Sequence, residues 1–264
     1  MMEPIPILLY HGVGPTYPGL EQWILPEKTF ARQMEEVVRR GHTALTVSEL
    51  AALTAAGATV PERPVVISFD DGLASFADHA WPILQANGLP ASMYVVTGYV
   101  GLRAGWLDRR GVPGPLMLSW LSIVDLETEG CEIGAHTETH PELDTLSVAG
   151  AREEIRRSGA VLSARLGHAI RSFAYPFGYH TATVREAVID AGFENACAVM
   201  NRLSWSGDDR FALARVTITP AVDFETFGHI LNGTGAKVAD GRERLRTQSW
   251  RAWRKTRHGL SRAR

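Results

Sequence analysis

Two adjacent carboxylates, Asp70 and Asp71, close the apolar run Pro64-Val65-Val66-Ile67-Ser68-Phe69 and precede Gly72. Like charges this close raise one another's pKa unless something neutralises them, and a metal cation is one such partner. An Asp-Gly turn in which one carboxylate caps a helix accounts for the pair as well. A second cluster, Gly134-Ala135-His136-Thr137-Glu138-Thr139-His140-Pro141, holds two histidines at i and i+4, a spacing that can turn both imidazoles toward one ion. Pro141 disfavours a helical conformation at His140, so the pair belongs on a loop or at the end of a short turn. Alone, such a pair is weak evidence, because most are accidental surface histidines. With an aspartate from another strand end it supplies the nitrogen and oxygen donors zinc accepts and leaves positions open for water and substrate. The third cluster is Arg171-Ser172-Phe173-Ala174-Tyr175-Pro176-Phe177-Gly178. An arginine that begins an apolar strand can pair with a buried carboxylate, and a Pro-Gly turn can present backbone N–H groups to a ligand. By itself the segment also reads as a strand ending in a turn with core aromatics.

Something must bring these clusters together. Strand-like runs are predicted at residues 5–10, 43–45, 65–69, 91–96, 131–135, 171–174, 195–199 and 215–218. Helical patterns lie between most of them, at 26–40, 48–56, 76–87, 120–129, 148–166 and 181–191; in the first, Phe30, Met34, Val37 and Val38 form an apolar stripe that stops at Gly41. Such alternation implies parallel strands joined by crossover helices. With no Pro/Gly/Ser-rich linker dividing the series, it predicts one deformed, TIM-like (β/α) barrel of seven to eight strands over residues 1–240, rather than an open doubly wound sheet, followed by a basic tail over 241–264. All three clusters then fall at C-terminal strand ends, where barrel active sites are built.

The charge is unevenly distributed along the chain, with an acidic body and a basic tail. From Arg242 to Arg264 there are nine basic residues and one acid, leaving 18 basic against 28 acidic residues in the body. An acidic body argues against nucleic acid as a partner. In the tail, Leu245, Trp250, Trp253 and Leu260 interleave with arginines, a pattern that fits either a membrane-surface contact or a solvated tail. Cys131 and Cys197 are too few for a disulfide framework and are expected to be reduced and buried. No run approaches the roughly 20 apolar residues of a membrane helix, and the first residues lack the form of a secretory signal, so the expected location is cytoplasmic, with peripheral membrane contact through the tail allowed.

Residues 68–72, 136–140 and 171–178 together resemble, in order and spacing, the signature motifs of the polysaccharide deacetylases, carbohydrate esterase family 4 or NodB-homology domains. The likeness runs over roughly residues 5–220. It implies a deformed barrel, a divalent metal, most often Zn2+ with Co2+, Ni2+ or Mn2+ as alternatives, and hydrolytic removal of an acetyl group from a sugar. By position it makes Asp70 the general base, Asp71, His136 and His140 the metal ligands, and Arg171 the residue that orients Asp70. The backbone N–H of Tyr175 becomes an oxyanion donor. Amide hydrolysis also needs an acid for the leaving amine. The family's late histidine motif is absent, and His229 in Phe227-Gly228-His229-Ile230 fits it poorly. Ile7-Leu8-Leu9-Tyr10-His11-Gly12 resembles that motif moved to the first strand, as in circularly permuted members, which makes His11 the expected acid and Asp208 or Asp209 its support, with Arg215 in the same network. Trp106 and Phe177, with Tyr179 and Leu118, are expected to wall the sugar and acetyl methyl. The substrate class expected is an N-acetylated hexosamine in a glycan, glycolipid or precursor. An O-acetyl esterase of the acetyl-xylan type and a catalytically silent glycan-binding barrel are the rival readings.

Overall fold

The computed structural model describes residues 3–110, 114–239, 250 and 253–254. Eight strands form one sheet: β1 (Ile7–Tyr10), β2 (Thr43–Leu45), β3 (Pro64–Phe69), β4 (Ser92–Val95), β5 (Glu132–Ala135), β6 (Ser172–Ala174), β7 (Asn195–Cys197) and β8 (Val216–Thr217). Their spatial order is β7-β6-β5-β4-β3-β1-β8, with β2 joined to the lower half of β3, and every pairing is parallel. Leu213, just before β8, bridges Cys197 at the end of β7, while Val216 and Thr217 pair with Leu8 and Leu9. One short segment therefore touches both ends of the curled sheet and makes it a deformed (β/α) barrel. Two minor pairs, Pro4–Ile5 with Ser204–Trp205 and Gly12–Val13 with Ile24–Leu25, brace its ends.

Seven α-helices accompany the strands: α1 (Glu27–Arg39), α2 (Val47–Ala55), α3 (Trp81–Ala86), α4 (Trp120–Thr128), α5 (Val148–Leu166), α6 (Ala182–Asp190) and α7 (Phe224–Leu231). Their starts follow from local chemistry. Thr46 and Glu49 form a capping box on α2, and Ser119, Ser147, Thr181 and Asp223 each accept a backbone N–H at the start of α4, α5, α6 and α7. Gly167 ends α5 in the left-handed conformation that a glycine adopts without strain. On α1 the predicted stripe is buried at Phe30, Met34 and Val37, but Val38 is 47% exposed, so the buried face is narrower than the pattern suggested. Both cysteines are free and buried. Among the described residues, no helix is long and apolar enough to cross a membrane.

The two-residue period of a strand sorts side chains to opposite faces. Leu8, Tyr10, Val65, Ile67, Phe69, Met93, Val95 and Phe173 face the helical layer in the main core. Ile7, Val66, Tyr94, Ala174, Cys197 and Leu213 fill a smaller cluster inside the barrel, with Val47 and Leu50 of α2 packed against them. Continuing the inward parity up each strand leads from Ile7 to Leu9 and His11, from Val66 to Ser68 and Asp70, and from Gly134 to His136. The same step takes Leu213 to Arg215, Thr217 and Thr219. The functional side chains are the next inward positions above a packed plug.

Candidate active-site cleft and metal donors

At the C-terminal mouth of the barrel a cleft of about 520 Å³ is lined by His11, Trp23, Asp70, Asp71, Trp106, His136, His140, Phe177, Tyr179, Thr217 and Thr219, among others. Asp70 is 3% exposed, and both of its carboxylate oxygens accept hydrogen bonds from Arg215, at 2.7 Å each. Arg215 is wholly buried; its Nε donates to the Ala198 carbonyl and its plane lies over the Tyr94 ring. Burial alone would raise the Asp70 carboxyl, but Arg215, helped by His136 and His11, outweighs it and holds the group below the ordinary carboxylate range.

Asp71 has a different company. Its Oδ1 lies 3.2 Å from His140 Nε2 and 3.7 Å from His136 Nε2, and the three donor atoms fall within 4.8 Å of one another. His136 Nδ1 donates to the Ala174 carbonyl at 2.7 Å, which leaves the Nε2 lone pair pointing at the carboxylate. Burial pushes His136 down to about 4, so the imidazole is neutral near neutral pH despite the two aspartates. A lone pair and a carboxylate oxygen facing each other need a cation between them. Two imidazole nitrogens and one carboxylate oxygen are a donor set of the catalytic zinc type.

Regular strand geometry delivers His136 but not Asp71 or His140. Asp71, Thr137, His140 and Phe177 are four of the six non-glycine residues with positive φ among the described residues, at 77°, 68°, 60° and 59°. Backbone strain of this kind persists only where surroundings enforce it, and it gathers at functional sites. The His136–His140 loop is held by Glu154 of α5, whose carboxylate accepts from the Glu138 N–H, the Thr139 N–H and the Thr139 hydroxyl at 3.0, 2.8 and 2.6 Å. Glu154 did not stand out in the sequence, since it lies on an ordinary helical face; only its reach across to residues 138 and 139 reveals it.

Trp106 stacks on His140 with centroids 4.7 Å apart, and Phe177 meets the same ring edge-on at 4.7 Å. His11 packs against Trp23 at 4.8 Å, and its Nδ1 is buried with no hydrogen-bond partner among the described residues.

Four expectations are corrected. Arg171 is exposed, and Asp70 is clamped by Arg215 instead. Parity is the reason: Ser172 bonds inward to Tyr94 and Asn195, which turns Arg171 out with Phe173. The Tyr175 N–H is committed to the Cys197 carbonyl at 3.1 Å, extending the β6–β7 ladder, so it cannot serve an oxyanion. Neither Asp208 nor Asp209 supports His11. Asp208 accepts from Ser204 and the Ala214 N–H, while Asp209 pairs with Arg185 and accepts from the Phe211 N–H. Leu118 is buried in the main core rather than in the cleft wall. His229 sits exposed on α7, beside Glu225 and away from the cleft lining.

A parallel barrel with an imidazole–carboxylate cluster and a second, arginine-clamped carboxylate at its mouth defines a barrel protein of the enzyme type. The chain belongs to the polysaccharide deacetylase family: the model of that family matches residues 57–196, more than half of its length. It is 21% identical over 224 residues to the putative polysaccharide deacetylase YxkH of Bacillus subtilis, covering 85% of this chain and 75% of that one. Among solved structures it is similar to the Streptococcus pyogenes deacetylase PplD in complex with acetate, with a TM-score of 0.76 at 21% identity over 88% of this chain and 99% of that one. It is also similar to IcaB from Ammonifex degensii, with a TM-score of 0.72 at 25% identity over 88% and 97%.

Proposed function

We propose that this chain hydrolyses the acetyl group from an N-acetylated sugar, with Asp71, His136 and His140 holding one divalent ion, zinc by their donor chemistry. The observation that carries the reading is the unequal environment of two adjacent carboxylates. Asp70 has both oxygens tied to Arg215, whereas Asp71 faces the ring nitrogens of His136 and His140. The two adjacent carboxylates keep different partners, an arginine for one and imidazole nitrogens for the other, which suits them to different roles.

When bound, the ion polarises the acetyl carbonyl and lowers the pKa of a nearby water. Asp70, kept ionised by Arg215, removes the water's proton as the oxygen bonds to the acetyl carbon. Charge on the acetyl oxygen is met by a backbone donor of the Pro176–Gly178 turn. The hydrogen bonds within that turn are donated by Gly178 and Tyr179, and Phe177, between Pro176 and Gly178, lines the cleft in its left-handed conformation, so its N–H takes the part expected of Tyr175. The imidazole of His11 protonates the departing amine as the carbon–nitrogen bond breaks, giving acetate and a free amino sugar. This is the permuted order, in which the acid comes from the first strand. Trp106 and Phe177 flank the reacting group with apolar faces suited to a sugar ring and a methyl.

The test is acetate release by metal-loaded protein from N-acetylglucosamine oligomers and from O-acetylated xylan oligomers, with elemental analysis of the His136→Ala/His140→Ala double variant. Release from the N-acetyl series, with metal and activity both absent in the variant, is expected. Release only from the O-acetyl series would overturn the amide reading, and a full metal complement in the variant would overturn the ligand assignment.

A further inference from the structure

Residues 250, 253 and 254 lie beyond the last barrel strand, yet they pack on the rim of the cleft. The side chain of Arg254 is 4% exposed, and its Nη1 and Nη2 donate to the two oxygens of Asp144 at 2.8 and 2.7 Å, with Glu142 at 3.4 Å. Its guanidinium also covers the Tyr179 ring at 3.7 Å. A buried ion pair adds little net stability after desolvation, so its value lies in fixing register. Here it fixes the helical residues 253 and 254 against a loop that begins at His140 and against a ring that lines the cleft.

Two indoles, Trp250 and Trp253, accompany Arg254 there. Trp250 Nε1 donates to the Tyr179 hydroxyl at 3.1 Å, and Trp250 and Trp253 stack with centroids 4.6 Å apart and 15° between planes. They remain 45% and 49% exposed. Side by side, half-exposed indoles form an apolar patch of the kind soluble proteins keep for contact with something. The patch is continuous with the cleft: His140 meets Phe177 at 4.7 Å, Phe177 stacks along Tyr179 at 5.9 Å, and Tyr179 holds Trp250. Sugar rings present C–H faces to such surfaces and hydroxyls to the polar groups between them. The tail pattern fits either a membrane surface or a solvated tail, and its one described arginine, Arg254, is paired with Asp144 on the barrel.

We propose that Trp250 and Trp253, positioned by Arg254 and Tyr179, form a distal subsite on which a further sugar ring of the substrate stacks, so that the protein selects extended glycans over short ones. The proposal rests on the deacetylase reading above. Its test compares kcat/KM for acetate release from the β-linked N-acetylglucosamine dimer and hexamer, in the full chain and in Trp250→Ala/Trp253→Ala. The hexamer-to-dimer ratio should fall about tenfold in the double variant, through KM, with hexamer affinity by calorimetry falling in parallel. Trp250→Phe/Trp253→Phe, which keeps flat rings, should recover most of the ratio. An unchanged ratio overturns the subsite while acetate release upholds the deacetylase. No release by either protein from either oligomer overturns the deacetylase reading instead; the subsite then stands if calorimetry shows hexamer binding lost in the variant, and falls if binding is equal or absent. Co-sedimentation with anionic phosphatidylglycerol liposomes that the double variant loses, at an unchanged ratio, would assign the indoles to a lipid surface and overturn the subsite.

Discussion

The two walls of the cleft are built on different terms. One wall, with Asp71, His136, His140 and Phe177, lies within the region that matches the family and rests on backbone in the left-handed region at three of those four residues. The other wall, with His11, Thr217 and Thr219, comes from the first and last barrel strands and rests on ordinary parallel pairing, Leu8 to Val216 and Leu9 to Thr217, with the Ile218 N–H on the Leu9 carbonyl. Converging three donors on one point requires directions that a pleated strand does not offer, so the first wall pays in strain. Delivering one imidazole to the cleft requires only the correct inward parity at a strand end. That is why the second wall can be assembled from the first and last barrel strands, and why a permuted origin for the proposed acid is physically cheap. Arg215, on the closing segment of the second wall, reaches across to Asp70, the neighbour of Asp71 in the first, and so joins the two.

Breaking that junction has the largest expected effect. Asp70→Asn should retain the metal by elemental analysis yet lose about 10²- to 10⁴-fold in acetate release, because an amide cannot take the water's proton. It also leaves Arg215 buried opposite a neutral group, and loss of one partner of a buried pair costs about 3–5 kcal/mol, to be read as a fall in the denaturation midpoint. Loss of metal in this variant would make Asp70 a ligand and erase the distinction between the carboxylates. Breaking the strand-built wall comes next. His11→Ala should keep its metal and lose about 10²-fold in kcat on an N-acetyl substrate, but less on an acetyl ester with a good leaving group. His229→Ala, on the outside of α7, should change neither; a dead His229→Ala with an active His11→Ala would return the acid to the late position.

Much of this was legible in the chain. The strand at 43–45 and the helix at 148–166 fall where predicted, and the helix is bounded by local chemistry, the Ser147 cap at its start and Gly167 at its end. Asp70, Asp71, His136, His140 and His11 meet around one cleft because strand ends converge at one mouth of a barrel. What escaped was competition for partners. Arg171 and Arg215 each precede an apolar strand, and the residue types alone do not say which looks inward. The Tyr175 N–H and the Asp209 carboxylate were assigned long-range work, but a neighbouring strand and a local turn satisfy them first. The seat of Arg254 depends on a residue 110 positions earlier, a distance over which no local pattern speaks.

A smaller effect sharpens the account of the strained wall. If Glu154 is what holds the His136–His140 loop in place, Glu154→Ala should weaken metal binding about tenfold, measured by competition with a chromophoric chelator, while turnover at saturating metal stays close to that of the parent. Its three hydrogen bonds reach backbone and side chain between the two histidines, not the donors themselves, so the loss belongs to affinity rather than to chemistry. Unchanged affinity would mean that strain at Thr137 and His140 is enforced elsewhere.

The smallest effect discriminates between the two arginines. Ser172 and Ala174 face the barrel interior, through the bonds of Ser172 to Tyr94 and Asn195 and the packing of Ala174 on Ile7 and Cys197. Phe173 therefore faces the helical layer, and Arg171, with the same parity, lies exposed. On the closing segment the parity runs the other way: Leu213 is in the interior cluster, Thr217 and Thr219 line the cleft, and Arg215 between them is wholly buried. An exposed arginine away from the cleft lining contributes within about 0.5 kcal/mol of nothing to stability. Arg171→Ala should accordingly leave the denaturation midpoint, metal content and kcat/KM at parental values, whereas Arg215→Met should lose activity along with the ionised state of Asp70. Should Arg171→Ala instead lose activity at full metal occupancy, the inward parity assigned to β6 would be wrong, and with it the argument that strand alternation decides which arginine meets Asp70.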